Sequence, residues 1–354
     1  MHQTVTKYDA IGNDIEMMYK LLSINHSCVV YAENQLNSNV SYIQKQDLLQ
    51  DIGDPASVFI YHHSVYWAEG ETLLKQTTGQ LIFRYHNITP AYFFEPYNAH
   101  HYSQCFLGRQ QTERFVRDFP KAFWLADSSY NLQDVSNPPL DRIAVCPPFN
   151  KIEQWAVGVP DEKILQQLLF SDDINLLFVG RIAPNKGHLF LFDVLRHYCS
   201  NYSRGIKLRI IGKFDDNLSS YNQELLDRIK LLGLIDCVEF IGEINDTLLL
   251  TYYLGSDFFL CASEHEGFCV PIAEAQYFQL PIIARATSAV PETIGNNQIV
   301  LGENSKEYAA AINVIYNNHE YYTFLSQNGL SNFKKRYSLD KLFTILFDFL
   351  ASVL

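Results

Sequence analysis

The chain lacks several features that would place it in common classes of protein. None of its apolar runs reaches the roughly 18 residues of a membrane-spanning helix, and its first ten residues lack the apolar stretch of a secretory signal. Its seven cysteines form no C-x-x-C pair, which argues against a zinc site or a disulfide framework and favours reduced thiols in the cytoplasm. Basic residues number 27 against 39 acidic ones and form no stripe, so nucleic acid is not an expected partner.

Short apolar or β-branched runs recur along the 354 residues and alternate with helix-compatible segments, a pattern that predicts parallel sheets. The first series of predicted strands comprises residues 28–33, 57–63, 81–87, 122–127 and 142–148, with an amphipathic helix over 102–119. After residue 170 the pattern begins again, with strands in INLLFVGRI, IKLRIIG, VEFIG, FFLCAS, PIIARA and QIVLGE. The proline-rich segment 147–163 has no clean period and is predicted to link the two series.

The sequence therefore predicts an α/β chain of two doubly wound, Rossmann-like domains facing an interdomain cleft. Their predicted ranges are 1–150 and 151–337, with a C-terminal helix over 338–354 that packs back on the first domain. The start departs from this pattern, because only HQTVTKYD precedes AIGNDIEMMYKLL, which we interpret as a loop followed by a helix. The opening strand of the first domain is accordingly either short and polar or missing from this chain.

A cluster of cations and glycines follows the first strand of the second series, in VGRIAPNKGH, residues 179–188. Gly180 lets the backbone turn without a Cβ clash, so Arg181 and Lys186 are predicted to lie at the carboxyl end of the sheet. Lys186 also lies close to the start of the helix through HLFLFDVLRHY. Two cations beside a helix N-terminus are typical of a diphosphate site, but this motif alone is explained equally well by a surface turn with solvated charges.

Acidic residues follow a second apolar strand, in ASEHEGFCVPIAEA, residues 262–275. Pro271 suits the first turn of a helix, so the preceding backbone is predicted to present N–H groups to an anion. The groups concerned are those of Gly267, Phe268 and Cys269. Glu274 is placed to bind the vicinal hydroxyls of a ribose, and Glu266 the hydroxyls of a sugar. Two carboxylates at this spacing are common by chance, but both motifs end strands of one sheet and can therefore face one ligand.

These two motifs, followed by LPIIARATSAVPETIG, resemble those of the retaining glycosyltransferases of family four, which have the GT-B fold. The resemblance is strong over residues 175–300. In the first half, YDAIGND (8–14) and RYHNITP (84–90) resemble segments of a branch that builds bacterial polysaccharides. The resemblance implies a nucleotide-diphospho-sugar donor held mainly by the C-terminal domain, an acceptor docked mainly on the N-terminal domain, and a retained anomeric configuration.

The resemblance also implies roles for individual residues. The catalytic residues it implies are Glu266, His86, Arg181 and Lys186. The donor-binding residues it implies are Gly12, Asn13, Gly180, Arg181, Lys186, Glu266, Gly267, Phe268, Cys269 and Glu274. In this scheme the two cations stabilise the leaving diphosphate, the histidine reaches the donor sugar, and Gly12 and Asn13 lie in a loop facing the phosphates or the acceptor. The family often has glycine where Cys269 stands.

The expected reaction is transfer of a hexose to a saccharide or lipid-linked saccharide acceptor in polysaccharide biosynthesis. UDP-glucose or a similar donor is favoured, with GDP-mannose as the second choice. No D-x-D triplet is present to hold a divalent metal, so the activity is expected to be metal-independent and to need no cofactor. A nucleotide-sugar epimerase, a phosphorylase of the same fold and a non-catalytic partner subunit remain open alternatives, whereas no G-x-G-x-x-G supports a dehydrogenase.

Three further groups of residues have more than one interpretation each. His62 or His63 is a candidate base for the acceptor proton, although a structural role is the favoured interpretation. The aromatic segment 89–98 forms a sugar-stacking wall, a membrane-facing lip or a buried cluster. Four cations give one helix and its end a positive character, namely Arg109, Arg114, Arg117 and Lys121. An ordinary solvated face is favoured there, but a lipid-linked acceptor would make it the expected place of weak contact with the inner face of a membrane.

Overall fold

A computed structural model of the chain describes residues 1–7, 9–135 and 139–353, in two compact units. The first unit comprises Met1–Ala91, His100–Lys151 and Leu339–Leu354, and the second comprises Tyr92–Ala99 and Ile152–Ser338. The sequence assigned residues 92–99 to the first domain, but in the structure they pack with the second unit.

The first unit contains a parallel four-stranded sheet and a separate parallel pair of short strands. Its strands are β1 (Thr4–Val5), β2 (Asn34–Gln35), β3 (Val58–His63), β4 (Gln80–Tyr85), β5 (Phe123–Ala126) and β6 (Ile143–Val145). Its helices before the second unit are α1 (Ala10–Leu22), α2 (Lys45–Ile52), α3 (Ala68–Leu74), α4 (Ala99–Asp118) and α5 (Ser129–Leu132). The sheet order is β3-β4-β5-β6, while β1 pairs with β2.

Four of the five strands predicted for this half are confirmed, and the one predicted over 28–33 is wrong. There, Val30 makes a single bridge to Tyr42 and its side chain packs in a small apolar cluster with Val5 and Ile15. The first strand of the unit is the two-residue β1, which pairs with β2 and not with the four-stranded sheet.

Alternating side chains cover the two faces of the four-stranded sheet with separate apolar clusters, as the period of a strand requires. On one face, the Phe83 ring lies 4.5 Å from Trp124 and 4.9 Å from Phe115 of α4, measured between centroids. On the other face, Ile82 and Leu125 pack in a cluster with residues of α1 and of the C-terminal helix. A sheet buried on both faces is typical of doubly wound folds.

The second unit is a six-stranded parallel sheet of order β12-β11-β10-β7-β8-β9. Its strands are β7 (Ile174–Val179), β8 (Ile206–Ile211), β9 (Val238–Gly242), β10 (Phe258–Cys261), β11 (Ile282–Arg285) and β12 (Ile299–Leu301). Its helices are α6 (Ile152–Trp155), α7 (Glu162–Leu169), α8 (His188–Asn201), α9 (Ser219–Leu232), α10 (Asp246–Gly255), α11 (Val270–Tyr277), α12 (Val290–Ile294), α13 (Ser305–Tyr316) and α14 (His319–Arg336). All six predicted strands are confirmed, whereas the predicted linker 147–163 contains the short helix α6.

The last helix, α15 (Leu339–Val353), returns to the first unit. Its Leu342, Leu346 and Leu350 are buried in the cluster that contains Ile82 and Leu125. None of the helices in the described part of the chain combines the length and the apolar character of a membrane span.

Candidate functional site

The candidate site of the second unit lies at the point where its strand order reverses. β7 and β10 are neighbours in the sheet, although 78 residues lie between the end of β7 at Val179 and the start of β10 at Phe258. Those residues include β8 and β9. In open parallel sheets such a switch point leaves a crevice at the carboxyl ends of the strands, where ligands bind. The loops that follow β7 and β10 are those that carry the two predicted motifs.

Glycine shapes the first of these loops. Pro184–Lys186 form a 3₁₀ turn, and Gly187 then adopts a left-handed conformation with φ of 70° before α8 begins. A Cβ at Gly187 would lie 2.1 Å from the carbonyl oxygen of Ala262, at the end of β10. A side chain is therefore excluded, and its absence lets the loop after β7 lie directly against the loop after β10.

Asn185 joins the two loops. Its buried side-chain amide donates to the backbone carbonyl of His265 at 3.1 Å. The backbone carbonyl of Asn185 accepts the backbone N–H of Glu264 at 2.8 Å. The sequence does not indicate a role for this residue, although it lies in the first motif between Arg181 and Lys186, the two cations of the predicted diphosphate site. The sequence shows only that Asn185 is a polar residue between Pro184 and Lys186, which does not specify its hydrogen-bond partner.

The two motifs meet in an ion pair between Lys186 and Glu266. Lys186 Nζ lies 2.6 Å from Glu266 Oε1, and the same oxygen accepts the Ser263 hydroxyl at 2.8 Å. The side chains are 20% and 10% exposed, respectively, so the pair is largely shielded from water. Burial opposes the charge on Lys186, but the Glu266 carboxylate outweighs it and the pKa of Lys186 is raised.

Arg181 differs from Lys186 in that its charge is not neutralised locally. Its side chain is exposed, and among the described residues none forms a salt bridge or side-chain hydrogen bond with it. Gly180 precedes it with φ of 154°, directly after β7 ends at Val179. The loop after β7 thus presents one free guanidinium beside one paired ammonium.

A third segment, residues 287–293, holds the acidic loop in place. The Thr287 hydroxyl donates to the carbonyl of Ser263 at 2.5 Å, and the Ser288 hydroxyl accepts the backbone N–H of Glu266 at 2.8 Å. The Thr293 hydroxyl donates to the carbonyl of Phe268 at 2.6 Å. The sequence analysis quoted this segment for its resemblance but assigned no role to its hydroxyls.

The turn before α11 contains two backbone donors without an acceptor among the described residues. No described residue accepts the backbone N–H of Phe268 or Cys269, while the Phe268 ring is 7% exposed and packs against Tyr337 at 5.2 Å. Gly267 precedes them in the same turn. Cys269 has φ of 78°, a conformation that favours glycine. The Sγ atoms of Cys269 and Cys261 lie 3.9 Å apart.

Glu274 lies one turn inside α11 and is held by a tyrosine. The Tyr253 hydroxyl donates to Glu274 Oε2 at 2.6 Å. Burial raises the pKa of Glu274 to about 7, more than the bond from Tyr253 lowers it. This carboxyl group therefore changes its charge close to neutral pH.

In the first unit, the carboxyl end of the four-stranded sheet carries a closed charge network. Arg84 Nε and Nη2 donate to the two oxygens of Asp14 at 3.0 and 3.1 Å, and Nη2 lies 2.9 Å from Asp127 Oδ1. Burial lowers the pKa of Arg84, but the two carboxylates outweigh it and the net shift is upward. The Arg84 side chain is 0% exposed, and the sequence analysis missed its role.

His86 belongs to this network. Its Nδ1 lies 3.0 Å from Asp127 Oδ2 and its Nε2 lies 3.0 Å from Nδ1 of His62, so both ring nitrogens already have partners. Burial, and next the nearby His86, hold the pKa of His62 well below its usual value. His63 is also buried, with its Nε2 2.8 Å from the Thr112 hydroxyl. A contact from His86 to a donor sugar would require one of its present bonds to break.

Asp14, His62 and His86 are grouped closely enough to hold a metal ion, with one ligand atom from each inside 4.8 Å. Arg84, however, bonds both oxygens of Asp14 and already supplies a positive charge. The two imidazoles point at each other in hydrogen-bonding geometry. The arrangement fits a salt-bridge network better than a dication site, because a dication here would face the guanidinium.

Gly12 and Asn13 are not in a loop, so that part of the prediction is wrong. They lie in the first turn of α1, whose N-cap is Asp9, and Asp9 Oδ1 accepts the backbone N–H of Gly12. A Cβ at Gly12 would lie 1.9 Å from the carbonyl oxygen of Thr6, so this glycine permits close packing. Tyr8 of the same motif lies outside the described residues.

The predicted positive face of α4 is largely neutralised within the first unit. Arg109 pairs with Asp134 at 2.9 Å, Arg114 with Glu71 at 2.9 Å and Arg117 with Asp118 at 2.7 Å. These local pairs support the interpretation as an ordinary solvated face.

Comparison with known sequences finds similarity to one family over part of the chain. Residues 160–331 match the model of the family described as glycosyl transferases group 1. Over 196 residues, 54% of this chain and 44% of the relative, the sequence is 24% identical to D-inositol 3-phosphate glycosyltransferase of Geodermatophilus obscurus. Over 160 residues, 44% of each protein, it is 24% identical to the capsular polysaccharide biosynthesis glycosyltransferase CapH of Staphylococcus aureus. The matched region thus spans less than half the length of each relative.

The fold is also that of a solved structure. HepE of Anabaena, determined in complex with UDP and glucose, superposes over 99% of both chains with a TM-score of 0.77 at 14% identity. The chain therefore has the GT-B fold, with two Rossmann-like parallel sheets. Together, the family match and the fold support a group 1 glycosyltransferase.

Proposed function

We propose that the protein is a retaining, metal-independent glycosyltransferase that moves a hexose from a nucleotide-diphosphate sugar to a saccharide or lipid-linked saccharide. The observation that carries the proposal is the ion pair of Lys186 and Glu266 at the switch point of the second sheet, with the exposed Arg181 in the same loop as Lys186. A diphosphate needs cations and backbone donors, and a sugar needs a fixed carboxylate. The site supplies all of these within two adjacent loops.

In this proposal the cations act on the leaving group. Negative charge develops on the diphosphate as the bond to the sugar breaks, and Arg181, which has no local counter-ion among the described residues, stabilises it together with Lys186. The backbone N–H groups of Phe268 and Cys269 add donors without adding charge. Since these residues supply the electrostatic stabilisation, no divalent metal is required.

Glu266 orients the sugar and does not serve as a nucleophile. Its Oε1 already accepts two hydrogen bonds, from Lys186 and Ser263, which fix the carboxylate and reduce its reactivity. Its second oxygen is then left to accept sugar hydroxyls. The acceptor hydroxyl attacks from the face that the diphosphate leaves, so the anomeric configuration is retained. Glu274 binds the ribose beside this centre.

We favour UDP-glucose or a close relative as donor and polysaccharide biosynthesis in the cytoplasm as the setting. The capsular relative CapH and the UDP complex of HepE support this choice. The test is thermal unfolding with UDP, GDP, ADP and their hexose conjugates, with and without EDTA. A ligand present at a hundred times its Kd stabilises the native state by about 2.7 kcal/mol, which is readily measured. Stabilisation by the uridine series alone, unchanged by EDTA, is expected; no response to any nucleotide would overturn the proposal.

The chemistry is tested with the donor that stabilises most. Incubation with a mixture of saccharide acceptors should release the nucleotide and form a new glycosidic bond, and the coupling constant of its anomeric proton should match that of the donor. Release of nucleotide without a new bond would indicate an epimerase, and dependence on inorganic phosphate a phosphorylase. Binding without turnover over a broad acceptor set would indicate a partner subunit.

A further inference from the structure

Residues 92–99 are attached to the second unit by specific contacts. The Tyr97 hydroxyl donates to Glu224 Oε2 at 2.8 Å, and the Asn98 amide donates to the carbonyl of Asn217 at 2.7 Å. The Tyr97 ring also packs edge-on against Tyr221, with 5.1 Å between centroids. This segment, which the sequence assigned to the acceptor domain, is thus bound beside the donor motifs.

The segment lines an open cavity of about 290 Å³ within the second unit. Tyr92, Phe93, Tyr97 and Tyr221 contribute aromatic surface to it, and Glu264 contributes a carboxylate. Tyr92 is 62% exposed, and its ring lies 4.4 Å from that of Phe93. An aromatic side chain left exposed at the mouth of a concave site is a surface on which a ligand can stack.

The chemistry of the lining selects one class of ligand. The residues that line the cavity include no cation and one half-exposed carboxylate, so a phosphate or another anion would be repelled. The carboxylate lies 3.5 Å from Arg285 Nη1 but is 42% exposed, so it can still accept a hydrogen bond, which a purely apolar ligand does not supply. A neutral saccharide satisfies both features, because its C–H faces pack on aromatic rings and its hydroxyls donate to a carboxylate.

The cavity is continuous with the donor motifs. Gly187, which lines it, directly follows Lys186, and Glu264 lies two residues before Glu266. The backbone N–H of Glu264 donates to the carbonyl of Asn185, so the two loops form one wall. We propose that this cavity is a saccharide subsite that receives the acceptor beside the donor sugar. The acceptor role rests on the proposed function, whereas the saccharide binding does not.

The test is saturation-transfer NMR on methyl α-glucoside, methyl α-mannoside and N-acetylglucosamine, with wild-type protein and UDP. We expect saturation of the ring protons of at least one sugar. Tyr92→Ala, a change at an exposed side chain, should reduce the signal at least fivefold, and Glu264→Gln should also weaken it. Phe324→Ala, which removes a 46% exposed ring elsewhere in the same unit, is the matched control and should leave the signal unchanged.

Stabilisation by UDP is measured on the same samples to separate the two proposals. Normal stabilisation by UDP with no saturation of any sugar would overturn the subsite and leave the glycosyltransferase proposal intact. A signal as strong in Tyr92→Ala as in the wild type would overturn it as well, and so would displacement of the sugar by uridine. A Tyr92-dependent signal without any nucleotide binding would support the saccharide site and remove its acceptor role.

Discussion

The carboxyl ends of the two sheets are built from similar residues but differ in how their charges are balanced. In the first unit, Arg84 is fully buried and bonded to Asp14 and Asp127, so the charges are compensated inside the protein. In the second unit, Lys186 has a partner in Glu266 but Arg181 is exposed and, among the described residues, unpaired. The position at the end of a parallel sheet is common to both. The uncompensated charge of Arg181 makes the end of the second sheet suitable for an anionic ligand.

The largest expected effect comes from breaking the closed network. Arg84→Met leaves Asp14 and Asp127 buried without their cation, which should lower the free energy of unfolding by about 3–5 kcal/mol. Urea unfolding of the full chain measures this. The matched control is Arg117→Met, which removes an Arg–Asp partner that is 71% exposed and should change little. An Arg84→Met protein as stable as the wild type would show that the network contributes no stability.

Removing the shielded cation of the second unit should impair function. Lys186→Ala should lower the transfer rate by about 10²–10³-fold, because a charge that stabilises the leaving diphosphate is lost. Initial rates with the preferred donor measure this effect, with Lys230→Ala, a 65% exposed lysine of the same unit, as the control. Wild-type rates in Lys186→Ala would contradict the assignment of this residue to the donor site.

Two buried carboxyl groups should give the two units opposite dependences on pH. Glu274 has a pKa raised to about 7, so its folded form holds a proton that the unfolded form has lost. Its contribution to stability is complete below pH 4.5 and falls by up to about 3 kcal/mol as the pH rises to 7. Subtracting the unfolding curve of Glu274→Gln from that of the wild type isolates this contribution.

Glu16 provides the comparison of opposite sign. Burial alone would raise its pKa, but bonds from Lys151, Lys20, Asn37 and Asn39 lower it to about 2. Its contribution is therefore complete above pH 4.5 and is lost as the pH falls toward 2. The difference between wild type and Glu16→Gln should accordingly rise with pH over that interval. If the stability difference between wild type and variant changed in the same direction with pH for Glu16→Gln and Glu274→Gln, the environments proposed for these two carboxyl groups would be wrong.

The smallest expected effect concerns the shape of the first unit. Gly12→Ala should destabilise by about 1–3 kcal/mol, because its Cβ would overlap the carbonyl of Thr6. Gly53→Ala is the control, since its nearest contact would be 3.7 Å away. Thermal unfolding with and without UDP separates packing from binding: packing alone predicts that the stabilisation by UDP persists in Gly12→Ala. Its loss would instead support the role in donor binding that the resemblance implies.

Most of the fold was accessible from the sequence because strands buried on both faces leave continuous apolar runs. The prediction of a strand over 28–33 failed for a physical reason. A β-branched run favours extended backbone but does not specify a neighbouring strand, and Val30 forms an isolated bridge to Tyr42. The resemblance implies a loop at Gly12, but the Asp9 cap starts a helix there and the glycine serves packing.

The candidate site was accessible for a different reason. The motifs around Lys186 and Glu266 follow strands of the same sheet, so their meeting could be anticipated from topology. Asn185, Thr287 and Ser288 were missed because single polar residues in turns do not reveal their partners. The Arg84 network was missed because its members are scattered from residue 14 to residue 127 and form no motif.

The placement of residues 92–99 also governs how the chain can be divided and recombined. The backbone passes from one unit to the other four times, at 91/92, 99/100, 151/152 and 338/339. A fragment cut at 152 and 338 would leave Tyr221 and Glu224 without their partner Tyr97. A chimera that exchanges donor modules between related enzymes would therefore have to transplant this eight-residue segment together with residues 152–338. The transferable module is discontinuous in the gene, although it is compact in space.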